Sequence, residues 1–129
     1  MRYLSLEWIQ ALSAEVAASD TLAELSTTYT IGITQVVTDG PEGDVTYHLQ
    51  ITPDGTRFGA GPADPEDVRL EQDWSTAVAV ATGRMNAQEA FINGKILLFG
   101  SQQSVIDAQP VFAALDTVFS SVRERTRYE

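Results

Sequence analysis

Cysteine is absent from this 129-residue chain. That excludes thiolate nucleophiles, disulfide scaffolds and thiolate zinc sites, and a reducing, cytoplasmic setting is the expectation. Histidine is scarce: His48 is the single imidazole. No histidine pair can hold a metal, and one Ser-His or His-Asp arrangement at most is open to nucleophilic chemistry. No Gly-x-Ser-x-Gly elbow is present to receive it. Basic side chains are few, 8 against 18 acidic ones, for a formal charge of −10. A field of that sign repels phosphate backbones, anionic lipid surfaces and polyanionic cofactors, so nucleic acid is not expected as a partner and membrane contact is expected to be weak at most. Uninterrupted apolar runs such as Ile96-Leu97-Leu98-Phe99 last only a few residues, far short of the roughly 20 that cross a bilayer. The start, Met1-Arg2-Tyr3-Leu4-Ser5-Leu6-Glu7, lacks the regions of a signal peptide, and export is not expected. Gly55, Gly59 and Gly61 follow a turn without opening a helix, so no phosphate loop and no cofactor are expected. Asp64, Glu66, Asp67, Glu71 and Asp73 match no calcium loop and read as a solvated strand face, so no metal is expected either.

What the chain does have is enough apolar material, 43% of residues, for one domain spanning 1–129 with its own core. Trp8, Ile9, Leu12, Val16, Leu22 and Leu25 recur at helical spacing, as one amphipathic helix or a broken pair, with Thr21-x-x-Glu24 spaced as a capping box. Period two then takes over. Tyr29–Thr34 and Val45–Thr52 alternate around Asp39-Gly40-Pro41-Glu42-Gly43 and read as an antiparallel hairpin; Pro53-Asp54-Gly55 turns into a third strand at Arg57–Ala60, and Val68–Glu71 forms a fourth. Helical spacing returns at Trp74, Val78 and Ala81, with Asp73 or Ser75 as cap and Gly83 as stop. Asn86-x-x-Glu89 opens a further helix that Gly94 ends. Lys95–Phe99 is the fifth strand, and Pro110 opens a last helix carrying Val111, Phe112, Leu115, Val118, Phe119 and Val122. This order predicts an α+β domain: a five-stranded, mostly antiparallel sheet with helices packed on one face.

Two polar features invite a functional reading. His48 sits at an even position of Val45–Thr52, where odd positions are apolar, which places it on the polar face as a structural residue. Arg123, Arg125 and Arg127, broken by Glu124 and closed by Glu129, read as a frayed last helical turn offsetting the helix dipole, or else as a small contact for an anionic headgroup.

The stretch Gly83-Arg84-Met85-Asn86-Ala87-Gln88-Glu89-Ala90-Phe91-Ile92-Asn93-Gly94-Lys95-Ile96-Leu97-Leu98-Phe99-Gly100 resembles the signature of the sterol carrier protein, or non-specific lipid-transfer, family. Asp73-Trp74 is similar to the helix start that precedes that signature. The resemblance covers 29–120, after a helical lead over 1–28 and before a tail at 121–129. It implies an apolar tunnel between sheet and helices that holds a fatty acid, sterol or related lipid, with binding and no catalysis. The tunnel-facing candidates are Trp74, Val78, Phe91, Ile96, Leu98, Val105, Ile106, Phe112, Leu115 and Phe119. An apolar residue at such spacing is more often plain core, and only an enclosed void makes the group a site.

Two positions depart from the family pattern. Ala87 stands where proline is frequent, and both suit a first helical turn. Leu97 and Phe99 make both faces of the fifth strand apolar, and such a strand needs both faces covered. A second subunit of a homodimer, a partner protein such as an enzyme, a differently placed ligand, or the final helix or its flanking loop are the candidate covers. The carrier reading therefore stands beside an alternative, an interaction module with a filled tunnel that docks to a partner enzyme. A third reading, an enzyme using His48 as general base, requires His48 to line the pocket.

Overall fold

Alternation builds the sheet of this computed structural model, which describes residues 2–41 and 43–128; Met1, Glu42 of the first turn and Glu129 beyond the arginines lie outside the described residues. Strand β1 (Ile31–Gly40) pairs antiparallel with β2 (Gly43–Thr52) in the register Ile31↔Ile51 through Val37↔Val45. β2 turns through Pro53-Asp54 into β3 (Gly55–Ala60). The chain then crosses over, so that β4 (Val68–Asp73) lies parallel to β1, and β5 (Ile96–Gly100) closes the sheet antiparallel to β4. The spatial order is β3-β2-β1-β4-β5.

Ile31, Ile33, Val37, Tyr47, Leu49, Ile51, Phe58, Val68 and Ile96 are buried on one face of that sheet. Helices α1 (Leu6–Ala18), α3 (Trp74–Ala81) and α6 (Gln109–Val122) cover it. α1 buries Trp8, Ile9, Leu12 and Val16, and α6 buries Val111, Ala114, Leu115, Val118 and Val122, both at the three-and-four spacing of a core stripe. The broken-pair reading of the first helical region is the one realised: α2 (Asp20–Leu25) follows α1 directly. Its cap is Ser19, whose hydroxyl accepts the Leu22 N–H at 3.2 Å, in place of the expected Thr21 box. Ser19 also terminates α1, so one residue serves both ends. Asp73 caps α3 through the Thr76 N–H at 2.7 Å. Gly83 and Gly94 follow α3 and α4 (Ala87–Ile92) at φ of 80° and 75°, the left-handed conformation that a helix stop needs. An additional short helix, α5 (Gln102–Asp107), precedes α6, where the sequence has the polar run Ser101-Gln102-Gln103-Ser104 followed by Val105-Ile106.

The opposite face is covered in part by the loop 61–67. His48 Nδ1 lies 3.0 Å from the Gly61 carbonyl, Gln50 Nε2 donates to the Asp64 carbonyl at 2.6 Å, and the Ala63 N–H donates to Thr34 Oγ1 at 2.9 Å. The Asp67 carboxylate accepts the Gly32 N–H at 2.8 Å. Asp64, Glu66 and Asp67 therefore belong to a docked loop, which corrects their reading as a strand face. A Cβ at Gly32 would collide with the Pro65 carbonyl, so only glycine lets the loop approach this closely.

The C-terminal arginines do not fray. After a single 3-10 turn at Arg123–Arg125, Thr126 is buried and the backbone of Arg127 forms a β-bridge with that of Arg2, the Tyr3 N–H donating to the Arg127 carbonyl at 2.8 Å. Arg125 pairs with Glu15 at 3.3 Å.

Candidate functional site

A cavity of about 360 Å³ lies between the covered face of the sheet and helices α3 and α6, within the roughly 300–1,000 Å³ typical of small-molecule sites. Its α6 wall is Phe112, Leu115 and Phe119, with Gln109, Ala113 and Asp116 along the exposed side of the same helix. Small residues on α3, Ala77, Val80 and Ala81, face that wall across the space. Leu70 and Gln72 on β4 and Ile96 on β5 form the floor, and Gln35 on β1 and Tyr47 on β2 extend it. Trp8, Tyr3 and Tyr128 close one end, joined by Arg123.

That end is an aromatic cluster. The Trp8 ring lies 5.0 Å from Tyr3, 5.6 Å from Tyr47 and 5.9 Å from Phe119, mostly edge to face. Such contacts fix ring positions beyond what burial alone does. The Tyr128 ring packs at a tilt against Tyr3, centroids 4.8 Å apart, so the C-terminal tail is part of the wall. Burial pushes the phenols of Tyr3 and Tyr47 well above the usual tyrosine range, with Tyr128 adding to the effect on Tyr3, and both remain neutral hydroxyls. The Tyr47 hydroxyl donates to Gln35 Oε1 at 3.2 Å. The charged wall residues are Asp116 and Arg123, one of each sign and both exposed, so the wall does not reverse the negative field of the protein.

Of the residues singled out from the sequence, the structure brings Ile96, Phe112, Leu115 and Phe119 together in this wall. Val78 is buried in the surrounding core, and Leu98 and Val105 pack against it. Trp74 sits against Tyr3, ring centroids 5.4 Å apart, beside a much smaller hollow of about 30 Å³. Phe91 and Ile106 are 41% and 56% exposed and do not reach the cavity. Leu97 and Phe99 are 49% and 48% exposed on the opposite face, in register with Glu71 and Arg69. The final helix packs on the other side of the sheet, so the expectation that it or its flank covers these two residues is not met. Nor does His48 reach the cavity, since it is turned to the docked loop.

Gln35, Gln72, Tyr47, Trp8 and the α3 residues Ala77, Val80 and Ala81 were not singled out as cavity residues from the sequence, although Trp8, Tyr47 and Ala81 fall on its inward stripes. A signal for two of them exists: Gln35 and Gln72 are polar at inward positions of otherwise apolar alternations. Among the described residues no group of three or more His, Cys, Asp or Glu could hold a metal ion. Among the same residues no helix is long and apolar enough to cross a membrane.

The SCP-2 sterol transfer family matches residues 7–113. Among solved structures, a crystal structure of sterol carrier protein 2 superposes with a TM-score of 0.67 at 20% identity, covering 95% of this chain and 98% of that one. A conserved hypothetical protein from Thermus thermophilus gives 0.65 at 20% identity, covering 96% and 90%. Sterol carrier protein 2 from Aedes aegypti, in complex with palmitate, gives 0.52 at 16% identity, covering 81% and 93%. At these identities the likeness is one of fold. Among curated proteins none matches.

Proposed function

The chain belongs to the SCP-2 sterol transfer family, and from that premise we propose that it binds and carries an apolar ligand, a fatty acid, sterol or related lipid, without catalysing a reaction. The observation that carries the reading is the cavity of about 360 Å³ walled by Ile96, Phe112, Leu115 and Phe119. The mechanism is sequestration: a ligand gains roughly 25 cal/mol for each Å² of apolar surface it removes from water. No nucleophile, metal or general base is required, and His48, held against the Gly61 carbonyl on the far side of the sheet, is given no catalytic part. The palmitate in the Aedes aegypti protein supports a ligand of this class. An acyl-CoA fits less well, because its phosphates would meet one exposed arginine balanced by Asp116. A cytoplasmic carrier accords with the absence of cysteine.

Gentle and denaturing mass spectra of the purified protein test this. The expected result is a small-molecule adduct that survives gentle conditions and is released by denaturation. Ligand-free protein that also ignores added fatty acids and sterols would overturn it.

The second reading is an interaction module, and the half-exposed Leu97 and Phe99 favour it. A second subunit or a partner enzyme that covers them would remove their apolar surface from water. The same spectra distinguish the two readings, because a clean, ligand-free dimer belongs to the second alone.

A further inference from the structure

Inward-facing positions of β1 and β4 read Ile31, Ile33, Gln35, Val37 and Val68, Leu70, Gln72. The register Gln35↔Leu70 and Val37↔Gln72 makes the two glutamines diagonal neighbours on adjacent strands, and both line the cavity. An amide on the covered face of a sheet is unfavourable unless its polar atoms are bonded. For Gln35 that bond comes from the Tyr47 hydroxyl. Gln72 Oε1 and the indole Nε1 of Trp8 are buried and have no hydrogen-bond partner. One is an acceptor and the other a donor, and both residues belong to the wall of the same cavity.

We propose, resting on the carrier reading above, that the inner end of the ligand carries an uncharged hydrogen-bonding group, a hydroxyl in the simplest case, recognised by Gln72 and Trp8. The cavity then selects neutral alcohols over carboxylate anions. A hydroxyl both donates and accepts, so it can satisfy an amide oxygen or an indole N–H. A carboxylate only accepts: it leaves Gln72 Oε1 unpaired, and it buries a charge for which the wall offers one cation, the exposed Arg123. The terminal torsion of a glutamine is broad, so the Gln72 amide can turn toward a ligand at little cost. Tyr3 and Tyr47, held as neutral hydroxyls, add no charge that would favour an ion. Arg123 offers a carboxylate only an exposed rim site, shared with Asp116.

The test uses the full chain stripped of bound ligand and a set of one chain length: 1-dodecanol, dodecane, and dodecanoate at pH 8. Each competes against the neutral fluorophore N-phenyl-1-naphthylamine. The alcohol is expected to bind about tenfold more tightly than the alkane, the upper range for one neutral hydrogen bond, and more tightly than the anion. Gln72→Leu is expected to bring the alcohol to the level of the alkane while leaving the alkane unchanged. Trp8→Phe, which keeps a ring and removes the N–H, is expected to erode the same preference. Equal binding of alcohol and alkane, or tightest binding of dodecanoate, overturns the inference while leaving the carrier reading intact. No displacement by any of the three refutes the carrier reading itself. The ranking on the unaltered protein decides the matter even where a variant does not fold.

Discussion

Replacing Ala77 by phenylalanine separates a ligand site from a packing defect. Ala77 lies on α3, is 2% exposed and lines the cavity. Because Ala77 is buried and lines the cavity, a phenyl ring added at its Cβ is expected to enter the space of about 360 Å³ walled by Phe112, Leu115 and Phe119. In the folded protein the buried ring contributes up to about 2 kcal/mol, offset by about 1–3 kcal/mol of adjustment against neighbours. The two nearly cancel. At about 4 °C per kcal/mol for a domain of this size, the melting temperature is expected to move by less than about 5 °C.

Ligand binding has no such cancellation. The ring takes the place of about four methylenes of an occupying chain, each worth about 0.8 kcal/mol on burial. The loss is therefore about 3 kcal/mol, or about two orders of magnitude in Kd. Thermal melting by circular dichroism and displacement of N-phenyl-1-naphthylamine by dodecanol read the two quantities on one sample. A folded Ala77→Phe protein that melts within the expected window yet binds as tightly as the parent would refute the reasoning, because the ligand would then sit elsewhere.

Lysine at both Leu97 and Phe99 is expected to reduce the mass of any dimer in solution to that of the monomer and to leave alkane binding unchanged; light scattering checks the first, and an unaltered mass sinks the dimer form of the second reading. Asp73 gives a pH test. Hydrogen bonds from the Thr76 N–H, and then from its hydroxyl, hold the Asp73 carboxyl below its ordinary value of 3.8. With the folded value lower than the unfolded one, the cap stabilises the protein fully above about pH 4 and is lost as pH falls through the folded value. Asp73→Ala is expected to lose about 1 kcal/mol in urea unfolding at pH 7. Asp73→Asn keeps a capping oxygen and is expected to lose less, with a flatter profile below pH 4.

The strands, the caps at Asp73 and Asn86, and the helices α1 and α6 were legible because each rests on a local pattern that survives folding. Periods of two and of three to four specify which residues are covered, and a cap needs only a side-chain oxygen before the first turn. What escaped depended on partners distant in sequence or on short elements. Ser19 displaced Thr21 as cap because the preceding helix ends on the same residue, which fixes where the next one starts. α5 was hidden because six residues, Gln102–Asp107, are too few to display a period. The loop 61–67 reads as a run of acids and prolines, and its docking follows from Thr34, His48 and Gln50 meeting it across the sheet.

The cavity wall obeyed a different logic. On α6 and β5, residues that line the space and residues that fill the core share one apolar stripe, so periodicity found Ile96, Phe112, Leu115 and Phe119 without separating the two roles. Phe91 and Ile106 were candidates through the family resemblance, and each lies on a helix of six residues, too short to define a buried face. The separating information lies in exceptions to the pattern. Alanines on α3 leave room opposite the large side chains of α6, and Gln35 and Gln72 interrupt two apolar alternations at the point where an uninterrupted core would place aliphatics. A glutamine that breaks inward parity with no bonded partner disfavours the core that surrounds it, and a ligand hydroxyl in the cavity would remove that penalty. In this fold the departures from good core design are therefore the most informative positions in the sequence about what the protein holds.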